Sequence, residues 1–541
     1  MSEIVNSHGK KTLPEAPDVE VTPSGQISRR GVLGAALGVG AVMAVSPIFS
    51  LPRGTSNLMS ALNSPRRGGQ LRIGTIGGSS SDSLDADNAI TFPDWARNYQ
   101  LYEGLNQIDA TGKVVLQLAE EITPSADRLT WTIRVRNGVV FHNGKTLGAK
   151  DVAFTLSRIL NKKSPLPGAV GLSPIDLSSF KILDARTLQL KTKFPYSSLP
   201  DNLAAWYVKI VPVGYSPKAP VGTGPFMFKS FVPGTSSLFV RNPNYWQHGL
   251  PYLDSVSIVE FADESARLNA LIGGQIDAVD QVSPSFVAQM KGNKQIYVSV
   301  SPSGAWRPFT MRVDVAPFND PRVRQAMRLI VDRGQMGKIA DGGYSTLGND
   351  IFARYDVSYD KSLPQRHQDI AQAKSLLKKA GHENLNVTLT TAPIAPDVDQ
   401  NSLVLQQQAQ AAGVQIHVNQ VSVASFYGPQ YTKYPFAVDT WFYTPYLAQL
   451  TQGMLPTAPF NETHWNDPKY NSLYQTAIGT FNQNTRTEII HEMQKIEYDR
   501  GSLIIPTFPD AIDAWRTNVH GLASGVTGLG LANYDFTRTW L

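Results

Sequence analysis

The chain reads as an α/β protein with mixed sheets arranged in more than one lobe. Three observations predict this. Its 541 residues exceed what one compact core accommodates. Residues 387–421 carry a clear strand–helix–strand pattern. The stretches 106–142 and 181–213 are rich in strand-forming residues and suggest an additional β-rich subdomain. Nothing repeats at a period of roughly 20–50 residues, which excludes solenoids.

The start of the chain is an address. Residues 1–27 are polar, rich in Pro, Glu and Ser, and too poor in apolar side chains to build a core. Ser28-Arg29-Arg30 then opens an uncharged, Gly/Ala-rich run to about Leu51. A basic start before a weakly hydrophobic run reads as a signal peptide over residues 1–50, and the arginine pair as the twin-arginine type. Val32 stands where that signal has an aromatic. An uncleaved anchor is the rival reading, weakened by the glycines and Pro47. Residues 51–67 read as a flexible leader, and the expected location is the periplasm.

Ordered sequence begins at Gly68-Gly69-Gln70-Leu71-Arg72-Ile73-Gly74, a short alternating strand entered through a glycine pair. Asp263 caps a helix carrying Leu268, Leu271 and Ile272 that ends at Gly273-Gly274, before a strand over 276–279. Asp320 and Pro321 open a helix burying Val323, Met327 and Ile330. A third helix runs from Asp369 to Gly381. In 387–421 the strand Val387–Thr390 precedes a helix lined by Leu405, Ala409 and Ala412 and ended by Gly413; Val414, Ile416 and Val418 then alternate in a second strand. Such a crossover makes the two strands parallel.

Composition narrows the function. Charged residues make up 17% and the net charge is +5, well short of a nucleic-acid footprint. There is no cysteine, so disulfides, thiolate metal sites, cysteine nucleophiles and a lipidated N-terminal cysteine are excluded. No G-x-S-x-G or H-E-x-x-H occurs, and the nine histidines show no metal spacing. Gly222-Thr223-Gly224-Pro225 lacks the third glycine of a phosphate loop and reads as a turn. His142 reads as a hydrogen-bonded structural residue. The expectation is a protein that is not an enzyme and holds no cofactor and no metal.

Several segments, in order, resemble the peptide/nickel-type family 5 of extracellular solute-binding proteins of bacterial ABC importers. They are Gly68–Gly74, Ser83-Leu84-Asp85, Leu101-Tyr102-Glu103-Gly104-Leu105, Trp131–Arg136, Gly138–Gly144, Ala149–Phe154, Val221–Phe226, Arg241-Asn242-Pro243-Asn244-Tyr245-Trp246, Pro317–Ala326 and the Ala371–Gly381 helix. They also have local readings. Phe141-His142-Asn143-Gly144 suits a hairpin with a type I′ Asn-Gly turn. Asp151 reads as the cap of the following helix. Tyr102 and Trp246 read as core residues.

The resemblance implies a two-lobed periplasmic binding protein fold of the three-domain type. Lobe I would combine 68–105, 214–300 and 505–541, with an extra subdomain at 106–213 attached to it. Lobe II would be 301–504, with chain crossings near 300–312 and 500–506 forming a hinge. A small solute would bind between the lobes and be engulfed by hinge closure. The implied partners are the membrane permease and ATPase subunits of the importer and the twin-arginine export machinery; the protein would be a monomer.

Candidate ligand-binding residues fall where the family places its cleft. Near the first crossing lie Trp306, Arg307 and Arg312. Asp350, beside Asn349, follows a Gly-rich loop. Trp441, Tyr443 and Tyr446 follow a strand in the pocket-wall segment, and Glu462 and His464 sit in the polar–aromatic run Asn461–Trp465. Aromatic faces with a few polar groups suit a small-molecule pocket; the alternative is an aromatic core with surface ion pairs.

In peptide-binding relatives an Asp after the pocket Trp holds the ligand's ammonium. Here Trp441 is followed by no acid until Glu462. That favours a sugar, an opine or another anionic solute over a dipeptide, unless Glu462 takes the ammonium role. A di- or oligopeptide receptor, and a secreted enzyme on the same fold, are the alternatives.

Overall fold

The protein is described by a computed structural model that covers residues 64–541. The signal segment and most of the leader lie outside the described residues. Pro65–Leu541 pack as one unit.

Gln70–Ile76 lies inside a seven-stranded sheet because its neighbours on both sides run parallel to it. They are Ser255–Phe261 and Ala278–Val279. The helix Glu264–Ile272 makes the crossover between them, as parallel pairing requires. Asp263 caps it by accepting from Ala266 N at 2.8 Å, and Gly274 leaves it with φ +73°. The strand Ala511–Arg516 returns from near the end of the chain to sit antiparallel between Ala278–Val279 and Ile296–Ser301. Ser236–Arg241 and Phe226–Val232 complete the far edge.

The pattern over 387–421 folds as read. Asn386–Thr391 and Gln415–Gln420 pair parallel, with Val387 opposite Ile416, across the helix Val398–Gln410. They join a five-stranded sheet with Phe436–Val438, Phe309–Met311 and Leu503–Ile504. Its core holds Phe309, Met327, Leu377, Leu405 and Phe436. The helices Pro321–Ile330 and Ile370–Ala380 pack there, capped by Asp320 and Asp369, and Gly381 ends the second at φ +79°. The chain passes between the two large sheets twice, over 302–308 and 505–510.

A third, four-stranded antiparallel sheet is built from Ala119–Pro124, Thr130–Val135, Thr187–Thr192 and Ile175–Ile182. Trp131, Ile133 and Val135 alternate inward, and the helix Ala149–Ile159 buries Val152, Leu156 and Ile159.

The motifs of the resemblance converge on one buried carboxylate. Glu103 accepts from Thr223 Oγ1 (2.9 Å), Tyr245 OH (2.8 Å) and Trp246 Nε1 (2.9 Å). Burial pushes its pKa up to about 7 although all three donors pull the other way. Gly222 and Gly224 are glycines because the backbone of Gln100 and Leu101 passes within 2.0 and 2.4 Å of where a Cβ would stand. Two local expectations are corrected. Gly144 has φ +81° and Asn143 does not share it, so Phe141 and Lys145 flank a three-residue loop and no type I′ turn forms. Asp151 sits at the third helical position and bonds back to Gly148 N at 2.9 Å; Gly148 is the cap.

Candidate functional site

The segment 439–443 leaves the strand Phe436–Val438 and stays extended because its main chain is bonded at every second residue. Asp439 N donates to Pro308 O (3.2 Å), Trp441 N to Trp306 O (3.0 Å) and Tyr443 N to Thr527 O (2.9 Å). The Trp441 ring stacks on Trp306 at 5.8 Å and 16°. Trp306 stacks in turn on Phe352 (5.2 Å, 13°), and Phe352 on Tyr446 (5.1 Å, 19°). Four rings thus form a column whose inner members are buried.

Trp441 faces an aromatic crevice that opens to solvent. Trp95, Trp206, Tyr427, Tyr431, Phe442 and Phe460 line it as well. Trp95 comes from the helix Phe92–Leu101, which the reciprocal bonds of Thr91 and Asp94 cap. Its ring meets Phe442 edge-on at 4.9 Å. Trp95 Nε1 and Thr440 Oγ1, both in this lining, have no hydrogen-bond partner.

Behind the tyrosines lie two buried acids. Asp439 accepts from Tyr427 OH at 2.9 Å, Tyr431 OH at 2.9 Å and Thr440 N at 2.7 Å. Tyr431 OH also reaches Glu462 Oε1 at 3.1 Å. Burial raises both carboxyl pKa values, and the Asp439 charge raises that of Glu462 further.

The structure brings Trp306, Trp441 and Tyr446 into one column and sets Glu462 beside it. The other expected residues lie apart. Tyr446 OH points away from the crevice to Glu497 at 2.8 Å. Tyr443 packs edge-on against Tyr355 at 6.0 Å. Arg312 forks onto Asp314 (3.0 and 2.7 Å), which also meets His464 Nδ1 at 2.9 Å, a cluster at the surface. Asp350 is fully buried: Arg333 reaches it at 2.7 Å, Arg366 at 2.8 Å and Arg328 at 3.9 Å. Burial would raise its pKa, but the three guanidiniums outweigh it and hold it low. Arg307 faces a different cavity, against Asp397 at 3.0 Å.

Sequence reasoning missed Asp439, Tyr427, Tyr431 and Trp95. A carboxylate directly after the apolar strand Phe436–Val438, with tyrosines four apart just upstream, was the available signal. The arrangement offers flat aromatic surfaces and hydroxyls. Among the described residues no group of three His, Asp or Glu could hold a metal ion.

Mixed sheets linked by two chain passages, with an aromatic crevice drawing residues from distant parts of the chain, define a small-molecule-binding protein. The sequence model of bacterial extracellular solute-binding proteins, family 5 Middle, matches residues 113–466, and the chain belongs to that family. It is 26% identical over 471 residues to the glutathione-binding protein GsiB of Salmonella typhimurium, covering 82% of this chain and 90% of the relative. Among solved structures it resembles the A. tumefacien PBP AgaA in complex with agropinic acid (TM-score 0.79, 24% identity, 87% of this chain and 99% of that one). It also resembles the Helicobacter pylori periplasmic binding protein DppA in complex with the peptide STSA (TM-score 0.79, 21% identity, 88% and 98%). The fold is therefore that of periplasmic binding proteins of the family 5 type. Among the described residues no helix is long and apolar enough to cross a membrane.

Proposed function

We propose that the chain is the periplasmic solute receptor of an ABC-type importer. It captures a small solute in the crevice of Trp441 by hinge closure and delivers it unaltered to the permease. Residues 68–105, 214–300 and 505–541 would form one lobe carrying the 106–213 subdomain, and 301–504 the other. The Arg29-Arg30 pair would direct export of the folded protein. The relatives' names support a binding role and differ in ligand: glutathione, agropinic acid and a peptide each appear.

The observation that carries the ligand reading is the state of the acids beside the crevice. Asp439 already accepts from two tyrosine hydroxyls and a backbone N–H, and burial raises the pKa of Glu462. A peptide ammonium would have to compete with those bonds. Trp95 Nε1 and Thr440 Oγ1 instead wait for hydrogen-bonding partners beside flat rings. A polyhydroxylated or anionic solute of sugar or opine size meets both needs.

Calorimetry with sugars, opines, anionic chelates, glutathione and mixed dipeptides tests this. Tight binding within the first three groups, loss of affinity in Trp441→Ala, a smaller radius of gyration with ligand and recovery of the ligand intact are expected. Submicromolar dipeptide binding that disappears in Glu462→Gln would overturn the ligand class, and recovery of an altered ligand would overturn the receptor reading.

A further inference from the structure

Arg307 follows Trp306 on an extended segment, so its side chain projects to the opposite side. There it lines a second cavity, with about 310 Å³ of empty space counted out to solvent. Its Nε donates to Asp397 Oδ1 at 3.0 Å, but Nη1 has no partner and neither has Asp397 Oδ2. Asp341 lines the same cavity, is 1% exposed, and has neither carboxyl oxygen hydrogen-bonded. The hydroxyls of Ser345 and Thr507 lie close enough to lower its pKa without making a bond of good geometry. The walls meet tightly at the rim, where a Cβ on Gly342 would stand 2.5 Å from Pro284 Cβ.

A buried polar atom left unpaired is destabilising. Here three buried side chains with free atoms of both signs surround one cavity. An anion would satisfy Arg307 and leave Asp341 orphaned. A simple cation would do the reverse. We propose that this cavity is a second binding site for the zwitterionic head of a small amino acid, its carboxylate on Arg307 Nη1 and its ammonium between Asp341 and Asp397. The site is separate from the crevice of Trp441 and stands whatever that crevice takes. In its empty state burial and the Asp397 charge push the Asp341 pKa up to about 7, so an incoming ammonium exchanges for the Asp341 proton.

Calorimetry of the full chain with glycine tests the proposal, with acetate and methylammonium as half-ligands. Glycine binds at least about tenfold more tightly than either half, and Asp341→Asn and Arg307→Gln each weaken it by about tenfold or more. Arg307→Gln strands Asp397 and can unfold the protein, so a second measurement uses the unaltered chain. Below neutral pH, titrations in two buffers of different ionisation heat register a proton released on binding. No glycine heat means the cavity holds only water, and overturns the proposal. So do equal binding of methylammonium, full binding by a folded Asp341→Asn, absence of proton release, or loss of glycine binding in Trp441→Ala, which would place the amino acid in the crevice.

Discussion

The main chains of Trp306 and Trp441 bond to each other in both directions, at 3.0 Å each, and their rings stack 5.8 Å apart. The two tryptophans nevertheless have different surroundings. Trp306 is 2% exposed, held between Trp441 and Phe352, whereas Trp441 turns one face to the crevice.

Their alanine variants therefore separate. Trp441→Ala weakens solute binding by about 1–3 kcal/mol with a modest loss of stability, as for truncation of an anchor at an interface. Trp306→Ala costs about 3–5 kcal/mol of stability, the value for a buried aromatic. Thermal melts without solute and titrations with it measure both. A Trp306→Ala protein that melts normally would refute the column as a core element.

Asp350 tests whether a buried ion cluster serves the ligand or the fold. With Arg333, Arg366 and Ile505 N bonded to it and Arg328 at 3.9 Å, Asp350→Asn leaves the guanidiniums undercompensated and costs about 3–5 kcal/mol. Denaturant unfolding measures the loss. Solute affinity of the remaining folded protein stays the same, and a selective loss of affinity at unchanged stability would place Asp350 in a ligand path.

Glu497 gives a pH signature. Burial pushes its pKa from 4.5 to about 7, against hydrogen bonds from Tyr470 and Tyr446. The folded state binds the proton more tightly than the unfolded state. This group's stabilisation is therefore complete below about pH 4.5 and is lost as pH rises through about 7. The loss amounts to about 3 kcal/mol. Glu497→Gln keeps an acceptor for the tyrosines and removes the titration, so its melting temperature should fall less steeply than that of the unaltered protein over this interval. Parallel curves would contradict the assignment.

Export supplies the fourth prediction. Arg29→Lys combined with Arg30→Lys retains the protein in the cytoplasm, as cell fractionation would show; an unchanged periplasmic yield would exclude twin-arginine transport.

The elements legible in the sequence were those whose signals are local. Asp263, Asp320 and Asp369 cap their helices as read, and Gly381 closes the third, because a cap is decided within four residues. The crossover over 387–421 was equally readable from its change of period. The site was legible only in part. Trp306 and Trp441 stood out as aromatics at expected places, but Phe352, which stacks on Trp306, arrives from a remote segment. Asp350 and Arg307 resembled ligand contacts because an isolated charge carries no mark of the ions it will meet. Its arginines lie 17 and 16 residues away on either side, at Arg333 and Arg366, and Asp397 lies 90 residues from Arg307. Asp439 was overlooked because nothing local shows that Tyr427 and Tyr431 turn their hydroxyls onto it.

The backbone of 439–443 is bonded to other backbone groups at every second residue, at Pro308, Trp306 and Thr527. None of these bonds depends on which side chains the segment displays. Exchanging Thr440 would alter the chemistry of the crevice while these backbone bonds stay in place, so on the proposed function a receptor of this build would change its solute without rebuilding its frame.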